Sequence, residues 1–261
     1  MFILIVRILC VVLALSPGLV RAAEIQFLTH DIEGKHVLDE YGQIRGLPHG
    51  GKRAFNIELV RAMMAIVGHP NTIREVPITR AFKLLDQKPN HALFNVSRQP
   101  HREHKYHWVG PLQQDQIFFY RHRSSPIRID SLEQARRAGA ICVVSGNVHR
   151  SLLQRNGFIH FVENHSYAGC FKMLKAGRVK LVTVSDLGLQ ESLDEAGLSK
   201  EQIINTQVLL GRSEGHLAFS KATLPEEVSR WRLAFDRLIR SGEYDRLVES
   251  FLLPERALSA E

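Results

Sequence analysis

Twice along this chain, short apolar runs alternate with amphipathic helical segments, and that repetition limits the fold more than any other feature of the sequence. The first series opens with residues 24–29 (EIQFLT), an extended run ending at His30 and Asp31. A helix is predicted over about residues 54–67, with Phe55, Leu59, Met63 and Ile66 on one face and Gly68 and Pro70 as its stop. The Met63-Met64 pair is read as core packing on that helix. Residues 72–76 form a short strand, Pro77 opens a second helix with Ala81, Leu84 and Leu85 inward, and Ala92 to Val96 is a third, buried strand. Between the first strand and the first helix, Tyr41-Gly42-Gln43 is a turn and residues 47–53, with Gly50 and Gly51, are a polar loop.

The series begins again after an extended aromatic run (117–120) and a polar linker (121–126). Residues 130–138 read as a helix, with Asp130 and Glu133 spaced as a capping box and Gly139 as its stop. Strands at 141–144, 159–162 and 179–184 then alternate with helices at 148–156 and 166–176. After residues 187–196 the chain is extended over 203–210 and 216–219, and Pro225 starts a long helix with Val228, Trp231, Phe235, Leu238 and Ile239 inward. Gly242 separates it from a last turn holding Tyr244, Leu247 and Phe251, and the tail 254–261 is expected to be disordered. Alternating strands and helices of this kind make an α/β chain with largely parallel sheets.

At 261 residues, with 44% hydrophobic and 23% charged content, the chain is long enough for one large domain or two small ones, each with its own core. Its first segment carries an apolar run from Phe2 to Leu15 interrupted by Arg7, then Ser16-Pro17-Gly18 and Arg21-Ala22. We read residues 1–22 as a cleaved secretory signal, because the run is shorter than the roughly 20 residues a membrane span needs. Its removal takes away Arg7 and Arg21 and lowers the formal charge from +7 to +5. A mild excess of that size favours anionic neighbours, and no basic run interleaved with aromatics points to nucleic acid. Cys142 and Cys170 remain after cleavage; two isolated cysteines are compatible with a disulfide in an exported protein and equally with two buried thiols.

Chemistry concentrates in residues 91–111 (HALFNVSRQPHREHKYHWVGP). A buried strand runs into a loop where Ser97, Arg98 and Arg102 cluster around Pro100. Hydroxyl, amide and guanidinium groups at a strand end are what an anionic small-molecule group needs. His101, His104 and His107 cross a loop and a strand start, where their directions diverge, so they are not expected to hold a metal, and no cofactor motif is present.

The segments YGQIRG, AFNIELVRAM, VPITRAFKLLDQ, ALFNVSRQPHREHKYHWVGPL, KAGRVKLVTVSDL and FDRLIRSGEYDRLVESFL, in this order, resemble bacterial extracellular solute-binding proteins of family 3, the periplasmic amino-acid-binding group of ABC transport systems. The resemblance implies a type II periplasmic-binding fold: two open, mostly parallel sheets joined by two crossing strands. One lobe would comprise residues 23–114 plus 213–253, the other 115–212. It also implies that Arg102 grips a ligand carboxylate, with Asn95 and Ser97 as the polar positions before it. Ser145, Gly146 and Asn147 match the family's glycine turn before a helix. The family's acidic residue for an α-amino group falls on Ser185, with Asp186 beside it, and the family's aromatic beside the VP element is replaced by Ile78. Arg80, in the first turn of the second helix, is a further cleft cation.

These readings make the chain a periplasmic, monomeric binding protein that captures a small polar, carboxylate-bearing solute for an ABC permease or a membrane sensor, and not an enzyme. An enzyme on the same scaffold, a dehydratase or lyase of a small acid, would need a general acid or base, for which His30, His49 and Glu58 are the candidates. An interaction module without a ligand is a third reading, supported by Ser185 standing where the family has an acid.

Overall fold

The computed structural model describes residues 24–145 and 147–253. The expected signal segment, Gly146 and the tail 254–261 therefore lie outside the described residues. In chain order the elements are β1 (Gln26–Thr29), β2 (His36–Leu38), β3 (Ile44–Gly46), α1 (Lys52–Val67), β4 (Ile73–Glu75), α2 (Ile78–Gln87), β5 (His91–Val96), β6 (Tyr106–His122), α3 (Leu132–Arg137), β7 (Ile141–Val144), α4 (Val148–Arg155), β8 (Phe161–Asn164), α5 (Tyr167–Lys175), β9 (Leu181–Ser185), α6 (Leu189–Ala196), β10 (Ile203–Ser220), α7 (Pro225–Arg240) and α8 (Glu243–Leu247). Among the described residues no helix is long and apolar enough to cross a membrane.

β1 pairs in parallel with β4 and β5, and β7 in parallel with β8 and β9. Between these groups run β6 and β10, two long antiparallel strands paired from Ile203↔His122 to Ser220↔Tyr106. β5 joins β10 and β9 joins β6, so all eight strands form one hydrogen-bonded sheet, ordered β4-β1-β5-β10-β6-β9-β7-β8. The segments read as two separate extended runs, 203–210 and 216–219, are thus one strand of 18 residues. Polar Ser213 and Glu214 in its middle interrupt the apolar pattern because they lie where neither core covers them.

Four apolar clusters fall into two sets that divide these crossing strands. Leu112 and Leu217 belong with Phe27, Phe55 and Trp231, whereas Ile117 and Leu210 belong with Phe119, Leu153 and Leu181. The first lobe is closed by α7, whose Trp231 is fully buried against Phe27 at 4.6 Å between ring centroids. In the second lobe, Cys142 of β7 and Cys170 of α5 form a disulfide, with Cα atoms 5.4 Å apart. It ties a strand to a covering helix in a small core, where burial alone supplies less stability.

Several local expectations shift. Helix α1 begins two residues earlier than the apolar pattern indicates, since Gly51 at φ 79° turns the chain directly into Lys52. Ser131, not Asp130, caps α3, its hydroxyl accepting from the Gln134 amide, while the Asp130 amide donates to the Gln134 side chain. β8 starts at Phe161 and leaves Ile159 exposed. Ile239 is also exposed, because the inward stripe of α7 is completed by Leu238. Residues Pro100–Lys105 wind into a 3-10 turn where a loop was expected.

Candidate functional site between the two lobes

Parallel strands bring their carboxyl ends to one edge of a sheet, and crevices at that edge are where α/β proteins bind ligands. Here the ends of β1 and β5 face those of β7 and β9 across the crossing strands. Among the described residues two polar contacts span the gap: Lys52 Nζ lies 3.3 Å from Ser185 Oγ, and Lys35 Nζ lies 2.7 Å from Glu191 Oε1. The approach is close enough that a Cβ on Gly51 would sit 3.4 Å from a Glu191 carboxylate oxygen.

The first-lobe wall is built from the N-terminus of α1 and the ends of β1 and β5. Helix α1 carries Lys52 and Arg53 in its first turn with no acid there and no side-chain cap. Two cations at the positive end of a helix dipole are unfavourable, so each calls for an anion. Lys52 finds one: its Nζ is 2.5 Å from Oδ2 of Asp115, a β6 carboxylate at the crossing whose side chain is 1% exposed. The other oxygen, Asp115 Oδ1, is buried without a hydrogen-bond partner among the described residues.

Arg53 is less well served. Among the described residues its nearest carboxylate is Asp31, at 3.9 Å, and it otherwise reaches only the Asn95 carbonyl and His30 Nε2, each at 3.4 Å. Burial lowers its pKa below the usual arginine value, opposed first by Asp31 and then by Glu191. His30 is buried between these groups, with Nδ1 2.8 Å from Asp31 Oδ2 and Nε2 3.1 Å from the Asn95 carbonyl. Desolvation, then the Arg53 charge, lower its pKa, which favours the neutral ring. The neutral ring donates through Nδ1–H to Asp31, so Nε2 accepts from Arg53 and its approach to the Asn95 carbonyl is not a hydrogen bond; that carbonyl accepts from Arg53. Asn95 has φ 63°, a left-handed conformation that asparagine tolerates, inside strand β5. Its side chain holds the wall together, accepting from Asn56 Nδ2 at 2.7 Å and donating to Thr29 Oγ1 at 2.9 Å.

The second-lobe wall is neutral and cross-bonded. Asn147 caps α4, its Oδ1 accepting from the amides of His149 and Arg150, and its Nδ2 donates to Tyr167 Oη at 2.9 Å. Tyr167 in turn lies 3.4 Å from Nε2 of buried His149, whose Nδ1 is 3.2 Å from the Thr183 carbonyl. Burial, then Lys52, push the His149 pKa down to about 4, so the ring is neutral at pH 7: it donates through Nδ1 and accepts from Tyr167. Desolvation raises the Tyr167 pKa and keeps its hydroxyl protonated.

Of the residues selected from sequence, Ser185 and Asn147 stand in this cleft and Asn95 braces its first wall. Gly146 lies outside the described residues, and Ser145 is exposed, its amide donating to the Asn164 carbonyl. Asp186 turns its Oδ1 to the amides of Gln116 and Leu187, fixing the chain after β9. Ser97 is half-buried and Arg80 exposed. Arg102 is half-buried and has no salt-bridge partner among the described residues: its guanidinium lies 4.5 Å over the Phe82 ring, and its Nε donates to His101. Arg98 pairs with Glu103. Among the residues considered for acid–base chemistry, His49 bonds the Leu253 carbonyl and Glu58 accepts from both Arg45 and the Gly46 amide. The groups that sequence reasoning did not select are Lys52, Arg53, Asp115, Glu191, Tyr167 and His149. The Lys-Arg pair opening an apolar helix without an acid is the signal that was available for two of them.

No protein-family model and no curated protein matches this sequence. Solved structures do share its fold, the two-lobed type II fold of periplasmic binding proteins. A histidine kinase sensor domain with similarity to periplasmic binding proteins superposes with a TM-score of 0.66 at 17% identity, covering 88% of this chain and 98% of its own. The substrate-binding protein of an amino acid ABC transporter gives 0.63 at 13% identity, with 86% and 97% covered. An ancestral amino-acid-binding protein, a precursor of cyclohexadienyl dehydratase, gives 0.63 at 16% identity, with 86% and 93% covered. At these identities the likeness establishes the fold, and that fold serves a sensor, a transporter component and the precursor of an enzyme.

Proposed function

We propose that this chain is an exported binding protein of the family 3 type, which captures a small polar, carboxylate-bearing solute between its lobes. In the periplasm, as a monomer, it delivers that solute to an ABC-type permease or reports it to a membrane sensor. The observation that carries this reading is Arg53: a guanidinium in the inter-lobe cleft with no carboxylate nearer than 3.9 Å among the described residues. A planar fork of donors at the positive end of a helix is suited to a bidentate carboxylate, which would supply the charge the wall lacks. Closure follows from the architecture, since only β6 and β10 cross between the cores and bending there moves one wall against the other. Ser185, Asn147 and Tyr167 then offer neutral hydrogen bonds from the far side.

The test is a thermal-shift screen of the full chain against carboxylate-bearing solutes at millimolar concentration. A ligand at 100 times its dissociation constant adds about 2.7 kcal/mol, a rise of roughly 5–10 °C for a protein of this size. A screen that moves the transition with no solute overturns the proposal.

One observation favours a second reading, an enzyme acting on a small acid. His30 is buried in the cleft with Asp31 at 2.8 Å, an orientation suited to a general base. Mass spectrometry of the bound acid after incubation separates the two: recovery unchanged supports binding alone, and conversion lost in His30→Gln supports catalysis.

A further inference from the structure

We infer that Lys52 fills the ammonium position of the cleft with a group of the protein's own, so that the captured ligand is a carboxylate without an ammonium group. This rests on the solute-binding reading above and narrows the ligand class.

A zwitterionic ligand needs a guanidinium for its carboxylate and a carboxylate for its ammonium. Among the described residues, three acids pair with the cleft's cations. Asp31 is 72% exposed and engaged by His30, and Glu191 lies at the mouth, paired with Lys35. Asp115 is the only one of the three that is deeply buried, and therefore the one with enough interaction strength to select a cation. Its charge is already matched by Lys52, whose ammonium reaches Asp115 Oδ2 on the crossing strand and Ser185 Oγ on the second lobe. Nζ thus makes the bonds a ligand ammonium would make there. A second ammonium would put two cations on one buried carboxylate. On the anionic side the position is reversed, because the nearest carboxylate to Arg53 among the described residues is the exposed Asp31, at 3.9 Å. The cleft as built asks its ligand for negative charge and for no positive charge.

The experiment is calorimetric titration of the full chain with matched pairs: lactate and alanine, malate and aspartate, 2-oxoglutarate and glutamate, 3-phenylpropionate and phenylalanine. For whichever pair binds, the wild type is expected to hold the acid without nitrogen at least tenfold more tightly. Lys52→Met should invert that preference by freeing Asp115, and Lys52→Arg should keep it. A wild type that prefers the amino acid, or a preference that Lys52→Met leaves unchanged, overturns the assignment. Should Lys52→Met fail to fold, the wild-type ratio decides by itself. No response to either member of any pair overturns the solute-binding reading itself, a result distinct from binding with the opposite preference.

Discussion

The two walls of the cleft are built on opposite principles. On the first lobe, Lys52, Arg53, His30 and Asp31 crowd charge at the start of one helix and the end of one strand, and Arg53 is left with incomplete pairing. On the second, Asn147, Tyr167, His149 and Thr183 form a neutral chain of hydrogen bonds, backed by a disulfide from β7 to α5. The difference teaches where specificity for charge should reside. An under-satisfied guanidinium is costly until a ligand arrives, whereas a satisfied neutral network costs little and keeps its shape. The first wall would therefore choose the ligand, and the second would present a fixed surface to close on.

The comparison breaks most readily at the disulfide. Replacing Cys142 and Cys170 together by serine should destabilise the second lobe by about 3–4 kcal/mol, from the entropy of a loop of this length. Trp108 and Trp231 both lie in first-lobe cores, so tryptophan fluorescence should not follow the early transition seen by circular dichroism. Coincident transitions would mean that the lobes do not unfold separately.

Next in size is the pH dependence from His149. Its folded pKa, about 4, is below the unfolded value of 6.5, so the unfolded state binds the proton more readily. The stability it contributes is complete above about pH 6.5 and is lost as pH falls toward 4, by about 3 kcal/mol. Denaturation across this range should show the slope in wild type and a shallower one in His149→Gln; equal slopes would remove His149 as the cause.

Arg53→Ala should weaken ligand binding by about 2 kcal/mol, roughly 30-fold, as expected for a charged hydrogen-bond pair. Arg102→Ala, which removes a cation lying on Phe82, should change it by less than about threefold. Smallest is Glu191→Gln. The Lys35–Glu191 pair crosses the lobes but is partly exposed, with side-chain accessibilities of 20% and 38%. Its loss should weaken closure by no more than about 0.2–1 kcal/mol, read as a modest change in affinity that vanishes at high salt.

The fold was legible because each level of the sequence agreed. Apolar periods, glycine stops and proline starts all mark the same elements, and Gly68 and Gly177 terminate helices at φ 70° as their positions indicate. The pairing of Cys142 with Cys170 was not legible, since only the register of β7 and the placement of α5 bring the sulfurs together. The cleft was legible in part. Ser185 and Asn147 follow from the family resemblance, which sets one after a strand and the other in a turn before a helix. Arg53 could not be placed, because Gly50 and Gly51 read as loop and the apolar period begins at Ala54; two extra helical residues carry the cations into the gap. Arg102 follows the strand that the sequence singles out, and the 3-10 turn after Pro100 carries its guanidinium over Phe82.

The most direct test of the account is a crystal structure of the protein with its bound acid. The account expects a carboxylate oxygen within about 3.2 Å of the Arg53 guanidinium, with Lys52 still on Asp115 and Ser185. A carboxylate held instead by Arg102, with Arg53 bound only to protein, would contradict it.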